Sequence, residues 1–157
     1  MFTLSKESEE IIKKELTRYE TKLSATIPAL FQVQKEKGWV PPEAVPHLAK
    51  LMGLPEAAIN EVLYFYTMFN KEPVGKLHVQ VCCNISCAMN GGRELADAIC
   101  KHYNVKPGQI SADGKITVSK VECLGSCDTA PMMQVNDQYV ENLTADKAIK
   151  KLKELGA

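Results

Sequence analysis

Cys82-Cys83-Asn84-Ile85-Ser86-Cys87 and Cys123-Leu124-Gly125-Ser126-Cys127 group thiols at two places in the second half of the chain. Thiolate is a soft ligand that suits zinc, copper(I) and iron–sulfur clusters. Four residues separate Cys82 from Cys87, three separate Cys123 from Cys127, and 35 lie between the pairs. Zinc sites use pairs with about two to four intervening residues, most often two. The plant-type ferredoxin run C-x4-C-x2-C is absent, because no cysteine follows Cys87 at that interval. The bacterial four-iron run C-x2-C-x2-C is absent as well. A two-iron cluster is wider than one zinc ion, and longer loops suit it. The spacing therefore favours a two-iron cluster, with a zinc site and a disulfide as alternatives.

The elements that must hold these thiols change character near Glu72-Pro73-Val74-Gly75. Before it, the pattern is helical only. Ser5 caps a first helix with Glu7, Glu9 and Glu10 in its first turn, at the positive end of the helix dipole. Ile12, Leu16, Tyr19 and Leu23 form its apolar stripe. Pro28 opens a second helix that Gly38 stops, Pro42 a third that Gly53 stops, and Pro55 a fourth. Pro46 is tolerable only inside a first turn. Ile59, Val62, Leu63 and Tyr66 share one side of the fourth helix. After the break, 77–81 alternates as a strand that ends at the first thiol pair. Asn90-Gly91-Gly92 precedes a helix through Leu95, Ile99 and His102. Asp113-Gly114 turns into a strand over 115–121 that ends at the second pair. Met133 and Val135 then face one way, and Asn136-Asp137 turns a hairpin into Tyr139. Thr144 caps a last helix that ends at Gly156. The expectation is an α+β protein: a helical bundle over 1–72, then an α/β domain over 73–157 with a small mixed sheet.

Other residues near the thiols carry weaker signals. Amides at Gly91, Gly92 and Gly125 are candidates for donating to cluster sulfur, which tunes potential. Met132 and Met133 are candidate shields, one of them expected simply to be core. Glu122 abuts a thiol, and its charge would oppose adding an electron. Cys100 lies mid-helix and reads as a small buried apolar residue. His47, His78 and His102 have no partner at metal-ligand spacing.

Bulk properties remove several classes. The chain has 19 basic and 19 acidic side chains, and neither half carries the basic excess of a nucleic-acid binder. No apolar run approaches the roughly 20 residues of a membrane span. The N-terminus lacks the pattern of a secretory signal, so six cysteines suggest a reducing compartment and metal or redox work. No phosphate-binding glycine loop, nucleophile–base pair, or nicotinamide or flavin fingerprint is present.

Val81-Cys82 through Ser86-Cys87, Val121-Glu122-Cys123-Leu124-Gly125-Ser126-Cys127 and Ala130-Pro131-Met132-Met133 resemble the thioredoxin-like [2Fe–2S] subunit of the NADH-oxidising module of respiratory complex I. Glu61-Val62-Leu63-Tyr64-Phe65-Tyr66-Thr67-Met68-Phe69 is similar to the segment that precedes the ferredoxin domain in that family. The resemblance spans nearly the whole chain. It implies a thioredoxin-like second domain and one [2Fe–2S] cluster held by Cys82, Cys87, Cys123 and Cys127. It selects Cys82 over Cys83, because the family's first ligand directly follows the strand valine. It implies electron transfer within an NADH:quinone oxidoreductase, an oxidoreductase whose active site is not complete in this chain. FMN and NADH would sit on a partner, the flavin-bearing NADH-binding subunit, docked by the N-terminal helices. The implied location is cytoplasmic, peripheral on the inner face of the membrane, or the matrix side in a mitochondrion. A diaphorase-type subunit of an NAD-linked hydrogenase or formate dehydrogenase shares the family. A zinc-stabilised binding module is the alternative from another class.

Overall fold

The computed structural model describes residues 2–157, which divide into two compact units, one running to Pro73 and one from Val74 to Ala157. In the first unit α1 spans Lys6–Leu16, α2 Thr26–Lys37, α3 Ala44–Met52 and α4 Glu56–Phe65. In the second, β1 spans Leu77–Cys82, α5 Ile85–Met89, α6 Gly92–His102, β2 Ile116–Val121, β3 Met133–Val135, β4 Gln138–Val140 and α7 Ala145–Glu154. No helix among the described residues is long and apolar enough to cross a membrane.

Ser5 caps α1 by accepting from the Ser8 amide. The expected stripe overruns the helix, however. Thr17 ends it, with its hydroxyl on the Lys14 carbonyl at 2.8 Å. Tyr19 and Leu23, at 39% and 52% exposed, therefore lie beyond the buried face. α2 and α3 each begin two residues from the expected proline, so that Pro28 and Pro46 fall at the third helical position. Both remain in a first turn, where an N–H has no helical acceptor. Gly38 and Gly53 stop these helices with left-handed backbone, φ 81° and 65°. In α4 Ile59 and Leu63 are buried, but Tyr66 is a terminal, extended residue off that face. Ile12, Leu30, Leu48, Met52, Ile59 and Phe69 anchor this unit's core.

The second unit is built on a four-stranded sheet in the order β2-β1-β3-β4. β1 and β2 are parallel, with Leu77 opposite Ile116 and Cys82 opposite Val121. β3 runs antiparallel to β1, with Val81 opposite Met133, and β4 antiparallel to β3. A parallel pair requires a crossover, supplied here by α5 and α6. α6 packs on β1 and β2 and beside α7. Val79, Val81, Ile99, Ile116, Val118, Met133 and Leu152 share one core. Thr117 is buried among these apolar residues because its hydroxyl accepts from the Gly75 amide at 2.8 Å.

Candidate metal centre

The sheet topology brings the thiols together. Because β1 and β2 are parallel, their C-terminal ends lie at one edge of the sheet. Cys82 closes β1, and Cys123 comes two residues after β2 ends. β3 enters at that same edge, and the Cys82 amide donates to the Met132 carbonyl at 3.2 Å. In open α/β sheets this carboxyl edge is where ligands bind.

The first thiol segment is short and tightly capped. Asn84 takes the Ile85 amide on its side-chain oxygen at 2.8 Å and starts α5, which carries Cys87. This five-residue helix was not legible in the spacing. Gly92 then opens α6 against the segment. A Cβ at Gly92 would meet the Cys82 carbonyl oxygen at 2.6 Å and that of Cys87 at 2.9 Å. Only glycine lets the helix approach so closely.

Cys82 and Cys87 are both buried and pack with Met132 in a small apolar cluster, with Leu124 and Ala130 at its margin. Burial, and next the hydrogen bond with Cys82, pushes the Cys87 thiol up to about 11. Met133, by contrast, belongs to the sheet core. The two methionines thus divide as expected, one beside the thiols and one in the core.

The second pair lies at the surface. Cys123 and Cys127 are exposed, with their sulfurs 3.9 Å apart. Their mutual hydrogen bond is the first cause that raises the Cys127 thiol, followed by the neighbouring Cys123 charge. Gly125 adopts φ 83°, and its amide donates to the Cys123 sulfur at 3.3 Å. Of the three glycines expected to serve sulfur, this one does so. Gly91 sits at the N-cap of α6 with left-handed backbone, and Gly92 serves close approach.

Two side-chain hydrogen bonds join the thiol segments. Ser86 Oγ donates to the Cys127 carbonyl at 2.9 Å, and Asn84 Nδ2 donates to Glu122 Oε2 at 2.8 Å. The pairs also feel one another electrostatically: charge on Cys127 raises Cys87, and charge on Cys82 raises Cys127. The donor set is four thiols, arranged as two pairs. Among the described residues, no three His, Cys, Asp or Glu side chains close around a single ion-sized point.

Cys83 points elsewhere. It packs against the sheet core, with its sulfur 3.5 Å from the Val81 carbonyl. Cys100 is buried in α6 on the same core. His78 Nε2 pairs with Ser119 Oγ at 2.9 Å, and His47 Nε2 lies 3.2 Å from Glu9 Oε1. The Ala130–Pro131 bond, which leads into Met132, is cis. Tyr139 and Glu141, unmarked by any spacing, both hydrogen-bond to the second thiol segment or its flank.

Residues 12–156 match the model of the family described as thioredoxin-like [2Fe–2S] ferredoxin. The chain is 39% identical over 141 residues to the second subunit of the NADH-quinone oxidoreductase of Thermus thermophilus, covering 88% of this chain and 78% of that one. It is 40% identical over 151 residues to an NADH-quinone oxidoreductase subunit of Rickettsia conorii, covering 93% and 89%. With an NADH-quinone oxidoreductase subunit of Escherichia coli K12 it shares 37% over 145 residues, covering 92% and 87%. A crystal structure of an NAD+-reducing [NiFe]-hydrogenase in the air-oxidized state superposes with a TM-score of 0.66 at 22% identity. That match covers 87% of this chain but only 23% of the hydrogenase chain, and it speaks to fold alone. On the family match and these relatives together, the chain belongs to the thioredoxin-like [2Fe–2S] ferredoxins.

Proposed function

We propose that this protein is a one-electron carrier that holds a single [2Fe–2S] cluster on Cys82, Cys87, Cys123 and Cys127, within an NADH:quinone oxidoreductase. The observation that carries the reading is the meeting of two thiol pairs at the carboxyl edge of β1 and β2, tied by the Ser86–Cys127 hydrogen bond. A binuclear group asks for two thiolates at each of two irons, and the pairs supply them. When bound, the cluster provides a centre that takes up and releases one electron. This chain's residues would then hold and shield it. Cys82 and Cys87 present buried sulfurs under Met132, and Gly125 lends an amide to Cys123.

NADH yields two electrons as a hydride, whereas this centre accepts one. A flavin must stand between them, and the chain has no fingerprint for one. The partner is therefore a flavin-bearing NADH-binding subunit, which supplies FMN. The helical unit offers it a surface. Tyr64 and Phe65 are 69% and 77% exposed at the end of α4, with Tyr66 and Met68 beside them. Such aromatic residues with methionine are enriched at interface cores. The relatives' names favour a quinone reductase over a hydrogenase setting, and a place on the inner face of the membrane follows from that assembly.

The reading is tested by mixing oxidised protein with NADH under argon. NADH alone should leave the visible spectrum unchanged. Adding the flavin subunit should bleach it. Bleaching by NADH without any partner contradicts the proposal.

A further inference from the structure

The two thiol pairs are held in different ways. Cys82 and Cys87 are buried and fixed by packing against Met132. Cys123 and Cys127 are exposed, so packing cannot fix them. The β3–β4 hairpin does so instead. Tyr139 Oη donates to the Leu124 carbonyl at 2.5 Å. Glu141, the residue after β4, accepts from Ser126 Oγ and, at 2.9 Å, from Thr129 Oγ1. Ser126 immediately precedes Cys127 and Thr129 follows it by two, so one carboxylate oxygen holds side-chain hydroxyls on both sides of Cys127. The Asn142 amide adds a bond to the Thr129 carbonyl at 2.9 Å. Both hydroxyls, Ser126 first, hold the Glu141 carboxyl below its ordinary value and keep it ionised at neutral pH.

We propose that Glu141 is a positioning residue for the second thiol pair, pinning the segment around Cys127 and placing a fixed negative charge beside the cluster that lowers its midpoint potential. The inference rests on the cluster reading above. Reduction adds one negative charge to a centre that is already anionic, and a neighbouring carboxylate opposes it. Solvent screening makes the effect modest at this exposed site. Glutamine keeps an acceptor oxygen for Ser126 and Thr129 but carries no charge. Alanine removes both.

The test uses the full chain with its cluster, in a redox titration followed by electron paramagnetic resonance. Release of iron from the reduced protein to bathophenanthroline disulfonate is measured alongside. E141Q should keep the wild-type iron content, line shape and release rate, with its midpoint shifted upward. E141A should shift upward too, and in addition show altered g-anisotropy and faster iron release. A wild-type midpoint in E141Q overturns the charge role, and a wild-type release rate in E141A overturns the pin. A wild-type chain without iron and sulfide overturns the cluster reading and this inference with it. A normal wild-type cluster with both variants unmoved overturns this inference alone.

Discussion

The hydroxyl of Ser86 donates to the carbonyl of Cys127 at 2.9 Å, across 41 residues of sequence. Each end of this bond lies beside or within a thiol pair: Ser86 precedes Cys87, and Cys127 belongs to the second pair. The bond joins the two segments directly. The parallel pairing of β1 and β2 brings the segments to the same edge, and Ser86 holds them there.

Ligand identity is the first prediction. Cys82→Ser, Cys87→Ser, Cys123→Ser and Cys127→Ser should each lose or strongly perturb the visible spectrum, because a hydroxyl is a poor replacement for thiolate. Cys83→Ser and Cys100→Ser should retain it, since both sulfurs pack on the sheet core. Bleaching by Cys83→Ser with retention in Cys82→Ser would show that the first segment is read one residue out of register.

Gly92→Ala should destabilise the second unit by about 1–3 kcal/mol, the usual cost of overpacking. Alanine is the better helix former by about 1 kcal/mol, but that gain is the smaller effect. The new Cβ would stand 2.6 Å from the Cys82 carbonyl oxygen, a backbone atom that cannot swing aside. Urea unfolding of the two proteins decides the sign. A variant as stable as wild type would mean that the first thiol segment yields freely.

Glu36 offers a pH-dependent prediction in the helical unit. Its carboxylate takes the Lys37 ammonium at 2.8 Å, the Ser8 hydroxyl at 2.5 Å and the Ser5 amide at 3.1 Å. Lys37 first, then Ser8 and Ser5, hold its carboxyl at about 2, below the ordinary 4.5. A folded value below the unfolded one means stability that is present above about 4.5 and lost as pH falls toward 2. Glu36→Gln should cost on the order of 1 kcal/mol at pH 7, where a partly exposed ion pair adds little to the hydrogen bonds. The gap from wild type should close between pH 4.5 and 2. Coincident melting curves at pH 7 would contradict this.

A fragment of residues 74–157 contains all four proposed ligands and a core of its own. It should bind a cluster with a near-normal spectrum and fail to co-purify with the flavin subunit. A fragment that binds the partner as tightly as the full chain would remove the docking role from Tyr64, Phe65 and their neighbours.

Much of this was legible in the sequence because local chemistry and tertiary structure agree. Ser5 and Thr144 both cap the helices they were expected to cap, and Gly38, Gly53 and Gly156 adopt positive φ at helix ends. Alternation in 77–81 and 115–121 located the strands that end at the thiols. The failures have physical causes. The period that linked Ile12 to Leu23 continues past a real helix end, since apolar spacing carries no information about where the backbone turns at Thr17. α5 is too short to show a period. Its start rests on Asn84 bonding its neighbour's amide, a choice equally compatible with a turn. Glu141 acts through Ser126 and Thr129, partners 15 and 12 residues away across a hairpin, and nothing in its own segment marks it. The cis state of Ala130–Pro131 was equally invisible, because proline permits both isomers.

Two thiol pairs holding one binuclear cluster is the proposal on which the ligand and fragment predictions rest. Metal and acid-labile sulfide analysis of this chain, purified anaerobically, is the decisive measurement. The protein should be red-brown and hold about two irons and two sulfides per chain, the composition of a [2Fe–2S] centre. Stoichiometric zinc without sulfide would contradict it.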